Sequence, residues 1–129
     1  MRVLIQTSLV KTEVFPLVDV PDYDWGKAPV ICELYGLRWL LGPEAEQEMD
    51  WKAAIEWCQT VGGELLPRNI LLEAYMNNEI RKEFTATYYW SSTEFTATYA
   101  WSQGFTYGHQ YSSNKTTAYY VRAARRLVI

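Results

Sequence analysis

Few side chains in this 129-residue chain are of the types that carry out catalysis or bind metals, and they are widely spaced. There are two cysteines, Cys32 and Cys58, and a single histidine, His109, which lies in the polar stretch YGHQY. Zinc sites and thiol catalysis need cysteine, histidine or carboxylate groups in defined arrangements. The sequence therefore predicts no zinc site and no catalytic base. Cys58 is expected to be a small buried side chain in a helix, and a disulfide between the two cysteines is left open.

Carboxylates and glycines do not form a cofactor or metal motif either. The acidic cluster EAEQEMD at 44–50 lacks the alternating ligands and central glycine of a calcium loop, and we expect it to be an exposed loop. Gly62-Gly63 follows a predicted helix instead of preceding one, so it does not match a phosphate-binding loop. We therefore expect no enzymatic activity, no metal and no cofactor.

Charge and hydrophobicity exclude further classes of protein. The net charge is −3, so the chain lacks the basic surface that a nucleic-acid-binding protein needs. Its 49% hydrophobic residues and six tryptophans can form a core without metals or disulfides. No apolar run reaches the roughly 20 residues of a membrane-spanning helix. The opening MRVLIQTSLVKTEVF is interrupted by polar residues and is not a signal-peptide core, so export by the usual leader is not expected, which favours release by lysis or assembly inside the cell.

The composition changes abruptly at residue 84. Residues 84–120 contain seven Tyr, eight Thr and five Ser, with formal charges at Glu94 and Lys115. Tyrosine offers a large, rigid contact area with a polar tip, and Ser and Gly adapt to a partner, so this composition is typical of binding surfaces. Because Tyr and Thr also favour β-strands, an ordinary sheet explains the stretch equally well.

The first half of the chain contains the clearest element signals. Strands are predicted within 2–20 and within 30–42, the latter ending at Gly42-Pro43. An apolar face at helical spacing predicts a helix over 51–61, with Asp50 as its N-cap and Gly62-Gly63 at its end.

The second half is predicted to continue with one more helix and then strands. Asn69 is expected to cap a helix that runs towards Ile80, strands fill most of 84–120, and a closing strand begins near residue 119. Its arginines (Arg122, Arg125 and Arg126) are expected to pair with carboxylates or to be exposed. This order predicts a single α+β domain over 1–129. In it, 1–50 supplies N-terminal strands for docking or oligomerisation, and 51–129 forms the core with a ligand face at about 94–120.

The stretch YAWSQGF at 99–105 predicts a strand with two different faces. Side chains alternate across a strand, so Trp101 and Phe105 share one face, with Gln103 between them. We expect these two aromatic residues to point inward. The small residues Ala100, Ser102 and Gly104 are then expected to point outward.

A repeated hexapeptide, EFTATY, occurs at 83–88 and again at 94–99. Repeat folds need about three or more units at periods of roughly 20 residues and up. Two copies eleven residues apart meet neither condition. The chain is therefore not expected to be a solenoid, and the match is interpreted as chance or a local duplication in a permissive loop.

A set of motifs over about 51–126 resembles a bacterial and phage group of C-type lectin-like domains that includes the variable proteins of diversity-generating retroelements. More distantly it resembles formylglycine-generating-enzyme-like domains. The motifs are Trp51-x-x-Ala54-x-x-x-Cys58, Gly62-Gly63-x-Leu65-x-Pro67, Tyr89-Trp90-Ser91-Ser92-Thr93-Glu94, Ala100-Trp101-x-x-x-Phe105-x-x-Gly108, Lys115 and Val121-Arg122-Ala123-x-Arg125.

The resemblance implies a C-type lectin-like fold with two helices flanking small antiparallel sheets and a ligand face on the last strands. It also implies that mutagenesis directed at template adenines changes selected codons, which can then encode Thr, Ser, Tyr, Ala, Gly, His, Asp or Phe, but not Trp, Glu, Lys or Met. The positions reachable in this way are the candidate ligand-binding residues: Thr96, Thr98, Tyr99, Ser102, Gly104, Thr106, Tyr107, His109, Tyr111, Ser112, Ser113, Thr116, Thr117 and Tyr119.

The resemblance thus implies a ligand- or receptor-binding protein displayed on a phage or cell surface. Its expected partner is a protein or glycan on a target surface, without nucleic acid or membrane insertion, and self-association is left open. The calcium motifs of sugar-binding C-type lectins are absent, and Cys32 and Cys58 lie too early for the formylglycine chemistry. The alternative is a structural or assembly module of a virion or surface complex with no diversified site.

Overall fold

The computed structural model describes residues 2–4, 17–19 and 23–129. Nine strands lie in these residues, and they are β1 (Arg2–Leu4), β2 (Leu17–Asp19), β3 (Val30–Leu34), β4 (Leu37–Glu44), β5 (Glu64–Leu65), β6 (Tyr88–Glu94), β7 (Tyr99–Gly104), β8 (Gln110–Asn114) and β9 (Arg122–Val128). The helices are α1 (Trp51–Thr60), α2 (Arg68–Met76) and α3 (Asn78–Arg81), preceded by a 3-10 turn at Trp25–Lys27.

The named strands form three antiparallel sheets. A four-stranded sheet has the order β3-β4-β9-β5, a three-stranded sheet has the order β6-β7-β8, and β1 pairs with β2. The last strand, β9, lies between β4 and β5 and so joins the end of the chain to its first half. The α+β class predicted from the sequence is confirmed. The predicted closing strand also forms, but it begins at Arg122 because Tyr119 and Tyr120 make only isolated bridges to Met49 and Tyr89.

The helix α1 forms as its local sequence predicts. Asp50 accepts a hydrogen bond from the amide of Ala53 at 2.9 Å, which satisfies a donor that the first turn leaves without a partner. Gly62 has a φ of 77°, the left-handed conformation that terminates helices at glycine. The predicted N-cap and the predicted end are both confirmed.

The helix α2 begins differently from the prediction. It starts at Arg68, and Asn69 does not cap it. The hydroxyl of Thr93, on β6, accepts the hydrogen bond from the Arg68 amide at 3.0 Å, so a side chain distant in sequence satisfies this terminal donor. Asn77 instead caps α3, where its side-chain oxygen accepts from the amides of Glu79 and Ile80.

The strand β4 continues through Gly42-Pro43 to Glu44, so the predicted end at this pair is wrong. The register between β4 and β9 is irregular after Leu41, and pairing resumes where Glu44 lies opposite Arg122. A Cβ atom on Gly42 would lie 2.3 Å from the indole ring of Trp25, and one on Gly63 would lie 3.1 Å from it. Glycine at both positions thus makes room for Trp25, which stacks under the Arg125 guanidinium and donates Nε1–H to the carbonyl of Val61.

The four-stranded sheet separates two hydrophobic clusters. Leu41 and Ala124 belong to a cluster that packs under α2, whereas Leu40 and Ala123 belong to one that packs under α1. Consecutive residues point to opposite faces of a strand, so β4 and β9 each contribute to both clusters. The burial of Cys58, predicted from its helical position, is confirmed, and both cysteines are free thiols.

Candidate binding surface

The three-stranded sheet is anchored by two adjacent aromatic residues of β6. The side chain of Tyr89 lies in the cluster under α2 and that of Trp90 in the cluster under α1. The amide of Trp90 donates to the carbonyl of Tyr120 at 3.1 Å, and the amide of Tyr120 donates to the carbonyl of Tyr88 at 3.1 Å. The sheet is thereby held at a defined position relative to both clusters, with β7 as its central strand and β8 at its edge.

Part of one side of this sheet is a surface of aromatic and hydroxyl side chains. The ring of Tyr88 lies 5.8 Å from the ring of Tyr111 and 5.8 Å from that of Tyr119, measured between centroids. The hydroxyl groups of Tyr119 and Ser113 are 3.0 Å apart. We call this surface the tyrosine face, and its residues are Tyr88, Tyr107, His109, Tyr111, Ser113 and Tyr119.

The tyrosine face continues outward through His109. The Nδ1 atom of His109 lies 3.0 Å from the Tyr111 hydroxyl, and its ring lies 6.3 Å from that of Tyr107. The exposed fraction is 80% for Tyr107 and 49% for Tyr111, whereas Tyr88 and Tyr119 are half-buried. The half-buried rings therefore form a base, and the exposed rings project from it.

Hydrogen bonding and stacking are the interactions that this face offers to a partner. Burial, followed by the proximity of Tyr111 and Tyr119, raises the pKa of the Tyr88 hydroxyl. Tyr88 therefore keeps its proton at neutral pH and can donate a hydrogen bond. Neutral hydroxyls on aromatic rings combine apolar contact area with polar selectivity, which is the usual chemistry of recognition surfaces.

The opposite side of the sheet is held by an amide network that the sequence did not reveal. Gln103 is fully buried, and its Nε2 donates to the carbonyl of Gly104 at 2.8 Å. Its Oε1 accepts from Nε2 of Gln110 at 2.7 Å, which also donates to the carbonyl of Arg68 at 2.8 Å. The network ties β7 and β8 to the start of α2 and so makes the support of the tyrosine face rigid.

A lysine closes the other end of the sheet, where two loops carry candidate threonines. Nζ of Lys115 lies 2.7 Å from a carboxylate oxygen of Glu94 and 2.9 Å from the carbonyl of Ala97. It also lies 4.4 Å from the ring centre of Trp51. Thr96 and Thr98 are in the loop that this lysine holds, and Thr116 and Thr117 follow directly after it.

The structure brings some of the fourteen candidate residues together and separates others. Eight are exposed, and they are Thr96, Thr98, Tyr99, Thr106, Tyr107, His109, Tyr111 and Thr116. Four are half-buried, namely Ser112, Ser113, Thr117 and Tyr119. Tyr107, His109, Tyr111, Ser113 and Tyr119 meet on the tyrosine face, whereas Tyr99 and Ser112 point to the opposite side of the sheet because strand side chains alternate.

The prediction that Ala100, Ser102 and Gly104 point towards solvent is wrong. Ala100 is fully buried, and Ser102 is 1% exposed because Tyr111 and Ser113 cover it. A Cβ atom on Gly104 would lie 2.9 Å from the ring of Tyr88, so this position also lacks free space. Ser102 and Gly104 thus lie beneath the tyrosine face and not on it.

The prediction for the aromatic residues of the same strand is half correct. Phe105 is buried against Phe84, with ring centroids 4.1 Å apart, so its inward position is confirmed. Trp101 is only half-buried. The guanidinium of Arg68 covers one part of its ring and Phe95 packs against its side, and the rest of the ring is exposed to solvent. Tyr88 is the member of the tyrosine face that the sequence analysis did not predict. Side chains alternate along a strand, so an inward-pointing Tyr89 would have placed Tyr88 on the other side of β6.

Two open grooves lie away from the tyrosine face. Their volumes are about 400 Å³ and about 410 Å³, and they are lined by parts of 43–61, Thr85 and Tyr120.

The described residues were also compared with the requirements of metal sites and membrane spans. No group of three His, Cys, Asp or Glu side chains in the described part of the chain could hold a metal ion. None of its helices has the length and apolar character that crossing a membrane requires. Burial raises the pKa of both the Cys58 and the Cys32 thiol.

Comparison with known proteins does not assign this chain to a family. No protein-family profile matches the chain, and no curated protein is significantly similar to it.

Proposed function

We propose that this chain is a non-catalytic ligand-binding domain of the C-type lectin-like type, whose binding surface is the tyrosine face together with the neighbouring threonine loops. The observation that carries the proposal is a partition of the residues in 84–125. Most of the motif residues are buried or make hydrogen bonds, ion pairs or ring contacts with other segments, whereas twelve of the fourteen candidate residues are exposed or half-buried. A surface that changes its sequence while its fold persists needs this separation.

The contacts of the motif residues support the framework half of the partition. Trp51 donates Nε1–H to the carbonyl of Ser91 at 2.8 Å, and Trp90 donates Nε1–H to the carbonyl of Met49 at 3.0 Å. Arg125 donates two hydrogen bonds to the carbonyl of Gly62. Each bond joins segments that are distant in sequence, so these residues maintain the fold and leave recognition to others.

The same partition supports diversification by a retroelement and display on a phage or cell surface. Every candidate residue is of a type that adenine-directed mutagenesis of asparagine codons produces. Ser102 and Gly104 fit the proposal if selection keeps only small residues there, since both positions lack space. The decisive observation is a near-copy of codons 90–126 beside the gene, with adenine-rich differences at the candidate positions and a reverse-transcriptase gene nearby. Mismatches spread over the framework codons would contradict diversification.

Binding itself is tested with a matched pair of variants. Wild-type protein would be screened against immobilised panels of purified bacterial surface proteins and glycans, and any ligand found would be titrated. We expect the double variant Tyr107→Ala, Tyr111→Ala to lose binding at least about tenfold, because exposed tyrosines are frequent energetic centres of interfaces. The control Tyr35→Ala, Met76→Ala removes two exposed side chains elsewhere and is expected to keep full affinity. Equal affinities of the two double variants would contradict the assignment.

An assembly module is the second candidate function, and one surface favours it. The end of the four-stranded sheet exposes Tyr35, Leu127, Val128 and Ile129, and the Ile129 amide donates to the carbonyl of Gly36, which places the residues after β9 next to the turn that carries Tyr35. Exposed apolar groups of this kind occur at contacts between subunits. Concentration-dependent association in light scattering, abolished by Val128→Asp, would support this function. A monomer at all concentrations would count against it.

A further inference from the structure

On the side of the three-stranded sheet opposite the tyrosine face, an arginine is stacked on a tryptophan. The guanidinium carbon of Arg68 lies 3.6 Å from the ring centre of Trp101. Phe95 packs against the same ring edge-on, with centroids 5.4 Å apart, and Tyr99 points to the same side of β7 as Trp101. We call Arg68, Phe95, Tyr99 and Trp101 the Arg68 patch.

Several contacts fix Arg68 before any partner arrives. Its amide donates to the hydroxyl of Thr93, its carbonyl accepts from Gln110, and its Nε donates to Oε1 of Gln110 at 2.9 Å. Stacking on Trp101 restricts the plane of the guanidinium as well. An arginine normally loses considerable rotamer entropy when it binds, and this loss has already occurred here.

The fixed orientation leaves one edge of the guanidinium for an anion. Since Nε is used by Gln110, the two terminal nitrogens, Nη1 and Nη2, remain as a pair of parallel donors. Within residues 23–129, no carboxylate forms an ion pair with Arg68, whereas other arginines on the chain do pair with Glu33, Glu44 and Glu64. A pair of guanidinium donors matches the two oxygens of a carboxylate.

Exposed aromatic surface lies beside this edge. The exposed fraction is 59% for Phe95 and 40% for Tyr99, and Trp101 is half-buried beneath them. Tryptophan, tyrosine and arginine are the residue types that most often dominate the energy of protein interfaces. A partner that covers the patch therefore gains apolar contact and a charge-assisted hydrogen bond together.

We infer that the Arg68 patch is a second interaction surface, and that it binds a protein segment in which an Asp or Glu stands next to an apolar side chain. The carboxylate binds end-on to Nη1 and Nη2, and the apolar side chain packs on Phe95 and Tyr99. The inference goes beyond the proposed role of the tyrosine face, because it uses the other side of the sheet and shares only Tyr99 with the fourteen candidate residues. It does not require that the gene be diversified.

A protein segment fits the patch better than an acidic sugar does. Small polar ligands bind in concave sites that surround most of their surface. Neither of the two grooves lined by parts of 43–61, Thr85 and Tyr120 includes Arg68 or Phe95. The patch is instead an open aromatic surface with one fixed cation, which an extended segment with an acid and a neighbouring apolar group can cover.

A random peptide library tests this inference with the full chain. Immobilised wild-type protein would be used to select 12-residue peptides from a display library, and the enriched peptides would be synthesised and titrated against three variants. We expect an enriched Asp or Glu adjacent to an apolar residue. Arg68→Gln and Phe95→Ala are each expected to weaken binding of such a peptide at least about tenfold. Tyr107→Ala, which changes the tyrosine face, is expected to leave it unchanged.

The outcomes separate this inference from the proposed function. Loss of peptide binding in Arg68→Gln and Phe95→Ala but not in Tyr107→Ala supports the Arg68 patch. Peptides without enriched acid, no enrichment at all, or binding lost only in Tyr107→Ala would overturn it. Because Arg68→Gln also disturbs the start of α2, Phe95→Ala serves as the exposed variant that leaves the fold intact. Millimolar binding of glucuronate that Arg68→Gln abolishes, without acidic peptides, would identify an acidic sugar and overturn the protein assignment.

Discussion

The ammonium group of Lys115 lies 2.7 Å from a carboxylate oxygen of Glu94, and this ion pair joins the end of β6 to the turn after β8. The same ammonium group bonds to the carbonyl of Ala97 and lies over the ring of Trp51. One side chain thus connects two loops that carry candidate residues to the start of α1. We therefore expect this lysine to hold the backbone of both loops in place.

Replacing Lys115 with Met is expected to destabilise the protein by about 1–2 kcal/mol, because a hydrogen bond to a carbonyl and a cation–π contact are lost with the ion pair. The loop of residues 95–98 should open more often, so amide hydrogen exchange of Phe95 and Lys115 should accelerate. The control Lys82→Met removes the exposed pair with Glu79 and is expected to cost less than about 0.5 kcal/mol. Equal unfolding midpoints of both variants in urea would contradict the role given to Lys115.

Replacing Gln103 with Leu keeps the side-chain volume but removes the amide group that donates to the Gly104 carbonyl and accepts from Gln110. Gln110 then loses one of its two acceptors and the carbonyl of Gly104 loses the Gln103 donor in a buried environment, so we expect a destabilisation of about 1–3 kcal/mol. Urea unfolding followed by tryptophan fluorescence measures this change. Gln47→Leu, in an exposed loop, is the matched control and should stay within about 0.5 kcal/mol of wild type. A neutral Gln103→Leu would show that the network does not support the sheet.

Replacing Gly104 with Ala tests whether this candidate position tolerates variation. The added Cβ would lie 2.9 Å from the Tyr88 ring and 3.3 Å from the carbonyl oxygen of His109, so the ring must shift. We expect a destabilisation of about 1–3 kcal/mol, typical of overpacking, and a change in the near-ultraviolet circular dichroism of the tyrosines. Gly26→Ala meets only the flexible carboxylate of Asp24 and is the control. Wild-type stability of Gly104→Ala would mean that position 104 is open to diversification.

Replacing Tyr89 with Phe removes a buried hydroxyl that donates to Glu44 and accepts from the Thr85 amide. Both partners lose a hydrogen bond, and at neutral pH we expect a destabilisation of about 1–3 kcal/mol. Thermal unfolding at pH 7 measures the difference. Tyr107→Phe changes an exposed hydroxyl and is expected to have no effect.

The same variant should change the dependence of stability on alkaline pH. Burial, followed by the hydrogen bond to Glu44, raises the pKa of Tyr89 above its ordinary value. The folded protein therefore keeps this proton at pH values where the unfolded chain releases it. The free energy of unfolding should fall above about pH 10, by up to about 1.4 kcal/mol per pH unit from this group. Tyr89→Phe should show a shallower fall than wild type, and identical slopes would contradict the assignment.

The prediction of α1 rests on neighbouring residues and was confirmed. The helix α1 is capped by Asp50 and ends at Gly62, because capping and left-handed termination need only residues within one turn. The start of α2 was predicted incorrectly, since its cap comes from Thr93 on a distant strand. Local sequence does not contain that contact.

The alternation of β7 was predicted correctly, but which of its sides is buried was not. Trp101 and Phe105 do share a side, and Ala100, Ser102 and Gly104 share the other, as the pleat of any strand requires. Both sides are covered, one by α2 and the amide network and the other by the rings of Tyr88, Tyr111 and Tyr119. Large and small residues alone do not indicate how much of a sheet its neighbours will cover.

The sequence by itself determined the α+β class, the first helix with its two ends and the concentration of tyrosine and hydroxyl groups in the last third of the chain. These follow from residue type and short-range periodicity, which act within a few residues. Only the tertiary structure decided that five candidate residues meet Tyr88 on one face, that Ser102 and Gly104 lie beneath it, and that Arg68 stacks on Trp101 behind it. Such contacts join residues far apart in the chain, so they exist only once the strands and helices have packed together.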